Sequence, residues 1–184
     1  MRTVSGLFLC IMLLQSPGDR AKTVIENDRV AVWDVSDPAT ALSFDAVVVS
    51  LSGGAAFLSK GATPSTAGRS MVINLKDHPS GPIANTTGYP LAFPRPGSRK
   101  ILENEKVIVW DYTWSTGVAT PMHFHDKDVV VVYLDDGELR STSLDGNVVT
   151  NPFKFGMVTF NRGNRTHTET LVRGKQRAII TELK

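Results

Sequence analysis

Cysteine is nearly absent: Cys10 is the only one in 184 residues. One thiol forms no intramolecular disulfide and no thiolate metal cluster. Charge of one sign is lacking too. Twenty Lys and Arg face eighteen Asp and Glu, giving a net charge of +2, and no five like charges run together. Phosphate binding needs several cations on one surface, so the sequence argues against nucleic-acid and polybasic membrane partners. Gly (15) and Pro (10) are too few for a collagen-like or low-complexity chain. Beyond the first residues, no segment spaces its apolar side chains at the 3.6-residue helical period. What is present, 41% hydrophobic and 21% charged residues, is an ordinary globular composition. The length suits one domain, or two small ones, with a core able to fold unaided.

The one long apolar run is at the start. Met1 to Leu14 reads MRTVSGLFLCIMLL, with Arg2 ahead of an 11-residue, mostly apolar stretch and a Gln15-Ser16-Pro17-Gly18 break behind it. That is the layout of a secretory signal peptide over residues 1–18, too short to span a bilayer. The competing reading is a buried N-terminal helix. A lipoprotein reading is weaker, because Leu9 stands where a small residue is wanted before Cys10. Leader removal predicts a secreted or periplasmic protein, not inserted in a membrane, that has no cysteine at all. Such a chain is held by packing, or by a metal.

The chain repeats itself. Ile25 to Asp34 (IENDRVAVWD) matches Leu102 to Asp111 (LENEKVIVWD) at six of ten positions, at an offset of 77. Asp45 to Gly54 matches Asp128 to Gly137 at an offset of 83, and Val72 to Lys76 matches Ile180 to Lys184 at 108. The second copy is therefore longer, by six residues before Asp128 and by 25 more after Gly137.

Both copies read as β. Val30 to Trp33 and Val107 to Trp110 are β-branched and aromatic runs between polar turns. Val129 to Leu134 is a continuous apolar run of strand length, as for a strand covered on both faces. Short strands with Asp136-Gly137 and Asp145-Gly146 turns predict an all-β sandwich or barrel. The organisation read from this is a leader (1–18), a degenerate first copy (19–76), a Pro/Gly-rich linker packed on the surface (77–100) and a barrel (101–184). The first copy is too short for a barrel of its own and is expected to add strands against the second. Its exposed edge would need protection, for which a homodimer is one route.

Four histidines occur: His78, His123, His125 and His167. In a strand, residues two apart share a face, so His123 and His125 converge while Phe124 turns away. His167 follows the Met157 to Phe160 strand across a Gly-containing turn, with Glu169 on its face. Two imidazoles on one wall become a metal site when further ligands arrive from elsewhere, so His123, His125 and His167 are the candidate ligands. His78 has no partner in the sequence and reads as solvated. The first copy offers no imidazole where the pair would stand, which predicts one site per chain. Trp33 and Trp110 match in the repeat and read as core. Trp114 and Met122 flank His123 and are candidates for the cavity mouth. A glycan on the Asn164-Arg-Thr166 sequon would crowd His167.

These residues resemble the cupin superfamily. Gly117, five residues, His123-Phe-His125 and Gly137 fall in register with the family's first motif, G-x5-HxH-x(3,4)-E-x6-G. Gly156, Gly163 and His167 approximate the second. The resemblance covers 101–184 well and 24–76 in outline. It implies a double-stranded β-helix, or jelly-roll barrel, formed mainly by the C-terminal half, with a degenerate N-terminal copy as in a bicupin. It also implies a divalent transition metal (Fe, Mn, Ni, Cu or Zn) on His123, His125 and His167. The chain departs from the pattern in four ways, one being that His167 comes one residue late in the second motif. The motif glutamate, taken seven residues before Gly137, is Val130. The motif proline is Asn161, and the motif asparagine falls at Leu171. Asp128 and Glu169 are candidates for a fourth ligand or a base, although the matching Asp45 in the copy without histidines favours a structural role for Asp128, accepting backbone N–H bonds at the strand start. Three uses stay open: a metalloenzyme, oxygenase- or isomerase-like, on a small oxygen-rich substrate; a non-catalytic module binding a small molecule; or a purely structural tie.

Overall fold

The computed structural model describes residues 21–65, 67–77 and 81–184. The leader with Cys10, and His78, lie outside the described residues. Among the described residues there is no helix. The strands are β1 (Ala21–Glu26), β2 (Val30–Ser36), β3 (Ala46–Ser50), β4 (Ala55–Leu58), β5 (Arg69–Leu75), β6 (Ser98–Glu103), β7 (Val107–Thr113), β8 (His123–His125), β9 (Asp128–Tyr133), β10 (Gly137–Ser143), β11 (Val148–Phe153), β12 (Val158–Asn161), β13 (Arg165–Gly174) and β14 (Arg177–Leu183). The all-β expectation holds. They form three sheets, ordered β1-β2-β5-β3-β4, β12-β9-β14-β7-β6 and β11-β10-β13-β8.

The repeat is a repeat of structure. The first two sheets have the same strand order, with β2 matching β7, β5 matching β14 and β3 matching β9. Even the register is kept. Val30 pairs with Leu75 as Val107 pairs with Leu183, and Ala46 pairs with Asn74 as Val129 pairs with Glu182. What the longer second copy adds is a whole further sheet. The six extra residues lead into β8, and the 25 extra residues cover β10, β11 and the lengthened connection that holds β13. The N-terminal half therefore has one sheet of a pair, and the C-terminal half has both, closed face to face as a double-stranded β-helix.

Alternation along β9 and β14 sorts the side chains into two interiors. Val130, Val132, Ile179 and Leu183 face the N-terminal sheet and pack on Val30, Val32, Val47, Val49, Met71 and Ile73. Val129, Val131, Tyr133, Ala178 and Ile180 face the barrel, with Trp110, Tyr112, Trp114, Leu139 and Leu171. The far face of the N-terminal sheet, with Trp33, Val48 and Val72, is covered by Leu42 and Phe44 of the loop after β2. Both repeat tryptophans are core residues.

Two ion pairs tie the halves together reciprocally. Arg29 of the first copy donates to Asp128 of the second at 3.1 Å, and Lys106 of the second donates to Asp45 of the first at 2.5 Å. Arg29 and Lys106 are repeat equivalents, as are Asp45 and Asp128. Each aspartate also accepts a backbone N–H, from Lys60 and from Gly163, at 2.8 Å in both cases.

The stretch read as a surface linker is partly interior. Phe124 N–H donates to the Pro90 carbonyl and Ala92 N–H to the Phe124 carbonyl, so Pro90 to Ala92 runs alongside β8. Phe93 is buried and stacks on Trp110 at 5.1 Å. β6 then begins at Ser98, inside the linker range.

Candidate metal centre

Strand β8 is three residues long and wholly buried. It pairs antiparallel with β13, His167 opposite His123 and Arg165 opposite His125. The i, i+2 rule then puts His123, His125, Arg165, His167 and Glu169 on one face. The ring centroids of the three imidazoles lie 4.8–5.1 Å apart pairwise. Their ligand atoms all fall within 4.8 Å of one another. His125 Nε2 and His167 Nε2 are 3.1 Å apart. Nitrogens sharing one ion sit roughly 3–4 Å apart, so a shift of about 1 Å at the widest pair seats a transition metal.

The outer nitrogens are tied down in the way metal-binding imidazoles need. His123 Nδ1 lies 2.7 Å from the Pro121 carbonyl, which accepts its N–H and leaves Nε2 as the ring nitrogen that carries the lone pair. His167 Nδ1 is 3.1 Å from Ser141 Oγ. His125 Nδ1 is buried with no hydrogen-bond partner among the described residues. Burial, with the Arg95 charge adding to it, pushes His123 down to about 3. Burial likewise holds His125 well below the ordinary imidazole range and lowers His167. Neutral imidazoles are the ligating form. The donor set fits a divalent transition metal.

Two groups crowd the centre. Arg95, from the former linker, lies over the Phe93 and Tyr112 rings at 4.7 and 4.3 Å. Its Nη1 sits 2.5 Å from His123 Nε2, and its Nη2 donates to Glu169 Oε2 at 3.3 Å. Trp114 Nε1 donates to the same oxygen at 3.1 Å. Burial alone would raise the Glu169 carboxyl, but His167, Arg95 and His123 together with the Trp114 N–H hold it below the usual range. Beside the imidazoles opens a cavity of about 470 Å³ reaching His125 and His167. Trp114 lines it, while Met122 is not among its lining residues.

The structure separates the two carboxylate candidates. Glu169 belongs to the cavity. Asp128 does not: it points to the inter-sheet side, where Arg29, Arg162 and the Gly163 N–H occupy its oxygens. The motif glutamate position also moves. Val130 faces the N-terminal sheet, and the inward residue of β9 nearest the histidines is Val129. Counting back from Gly137 puts the position at Val130, whereas the shorter motif spacing counted on from His125 reaches Val129, and the turn at Asp126-Lys127 sets the phase. Arg95, Ser141 and Arg165 are the site residues that the sequence reading missed. Only Arg165 carried a local signal, two residues before His167 on the same strand. The motif glycine Gly137 has a packing reason, because a Cβ there would lie 2.5 Å from the Lys175 carbonyl oxygen.

No family model matches the chain, and no curated protein matches it. Solved structures similar to it include cupins. A cupin domain from Bordetella pertussis is 25% identical, over 50% of this chain and 97% of that one, with a TM-score of 0.43. A cupin 2 conserved barrel domain protein from Leptotrichia buccalis is 13% identical, over 94% and 93%, with a TM-score of 0.48. An RmlC-like cupin family protein with a double-stranded β-helix fold from Methanocaldococcus jannaschii is 16% identical, over 47% and 77%, with a TM-score of 0.40.

Proposed function

We propose that this is a cupin-type metal-binding protein, with one divalent transition ion (Fe, Mn, Ni, Cu or Zn) held by Nε2 of His123, His125 and His167. The observation that carries this reading is three buried, neutral imidazoles from two paired strands converging on one point. The ion would supply Lewis acidity, or a centre for oxygen chemistry, toward a small oxygen-bearing substrate. The chain's own groups do the rest. The Pro121 carbonyl and Ser141 hydroxyl fix ring orientation. Val129, Val131 and Ile180 keep water from one wall of the cavity. Glu169 is the ionised carboxylate placed to take a proton. Burial raises Tyr133, so its phenol stays protonated. The cavity beside His125 and His167 leaves the ion an open side, unlike a closed structural tie.

A second reading, a non-catalytic module binding a small molecule, draws on two observations. Arg95 donates to the His123 lone pair that an ion would need, and no carboxylate stands at Val129. Metal analysis of natively purified protein decides the first question. About one ion per chain is expected in the wild type, and at least a tenfold weaker affinity in each of His123→Ala, His125→Ala and His167→Ala. Equal metal content in wild type and variants refutes the site. Turnover of oxygen-rich substrates by the loaded protein then separates enzyme from binding module. The leader-like segment makes a secreted or periplasmic location part of the same proposal.

A further inference from the structure

The cavity holds a cation, Arg165, that forms no ion pair among the described residues. Arg165 is the register partner of His125, so its side chain leaves β13 on the cavity face. Its Nε donates to the Arg162 carbonyl at 2.8 Å, which fixes the stem. Its terminal nitrogens donate to no protein group among the described residues, and no carboxylate there pairs with it. Arg95 differs, since its charge is already met by Glu169. Two guanidinium groups against one carboxylate leave the cavity positive, and a bound dication makes it more so. Unpaired positive charge in a partly dry site is costly until an anion enters.

The remaining walls define that anion's other end. Tyr133 and Phe153 stack at 4.2 Å, and with Val129, Val131 and Ile180 they form a flat apolar wall. Asn151 adds an amide to the polar side. A planar fork and an apolar wall lining one cavity match a carboxylate joined to a flat apolar body.

We propose that the cavity binds a small organic carboxylate, its carboxylate held by Arg165 and its apolar body lying against Tyr133 and Phe153. The proposal deepens the metal-site reading and rests on it only in that the ion adds charge to the same cavity. Benzoate and its neutral isostere benzamide are the probes, titrated calorimetrically into the full chain, zinc-loaded and chelator-stripped, with metal content measured on each sample. Wild type is expected to bind benzoate at least about tenfold more tightly than benzamide. Arg165→Gln should lose that preference with metal content unchanged. Arg165→Lys, which keeps the charge but not the fork, should weaken benzoate roughly threefold or more and leave benzamide alone. If Arg165→Gln does not fold, Arg165→Lys carries the test. No preference in wild type, or an undiminished one in the folded variant, overturns the proposal. A preference that survives in protein unable to take up metal refutes the metal reading alone.

Discussion

Acid should unfold the metal-free protein through its imidazoles, and His123 allows a magnitude. Its ordinary value is 6.5 and burial takes it to about 3 in the fold. The proton therefore prefers the unfolded chain. Above about pH 6.5 neither state binds it and nothing is lost. Between the two values each pH step costs about 1.4 kcal/mol, and below about pH 3 the loss levels off near 5 kcal/mol. At about pH 5, His123 alone should have removed about 2 kcal/mol. For a chain of this length that is a fall of roughly 4–8 °C in melting temperature. His125 and His167 move in the same direction, so the wild-type loss should exceed this figure. The assay is urea unfolding of chelator-treated wild type and His123→Gln at about pH 7.5 and about pH 5. The variant's acid loss should be smaller by about 2 kcal/mol, whatever its absolute stability. Equal losses in the two proteins would refute the buried, neutral imidazole. Saturating zinc should shrink the wild-type loss, because the ion holds the nitrogens deprotonated.

Asp128→Ala should cost about 3–5 kcal/mol in denaturant melts and leave metal content intact, since it strands the buried Arg29. Its repeat equivalent, Asp45→Ala, should cost under about 1 kcal/mol, because the Lys106 pair is half exposed. Val129→Glu should tighten manganese binding roughly tenfold or more by calorimetry, whereas Val130→Glu should destabilise by roughly 3 kcal/mol or more without any gain in metal affinity. The reverse order would mean that the faces of β9 are misassigned. Arg95→Met should strengthen metal binding by freeing His123 Nε2, and unchanged affinity would show that the guanidinium does not compete.

The histidine cluster was legible because it needs only two local rules. Strand alternation places His123 beside His125, and one turn brings back His167. The repeat offsets were legible in the same way, and their two insertions proved to be the sheet that carries the histidines. Asp128 and Val130 share a face, as alternation predicts, and Asp128 has the structural role its match to Asp45 favoured, but which face that is could not be read. Counting residues gives the spacing of a strand but not its phase across the Asp126-Lys127 turn. Arg95 was out of reach, since nothing local to a Pro-rich stretch reveals that its guanidinium lies over two aromatic rings and reaches His123. Arg165 gained meaning only with the β8–β13 register, which made it the neighbour of an imidazole instead of a surface charge.

The half-complete N-terminal copy shows how labour is divided in this architecture. Cohesion resides in the two back-to-back sheets and their reciprocal charges, while all three clustered histidines belong to the remaining sheet. One copy has gone without that layer, a short loop serving as its roof, and the common interior stays sealed. A wall that the common interior does not depend on is free to change, and new ligand preferences should arise there before anywhere else in the molecule.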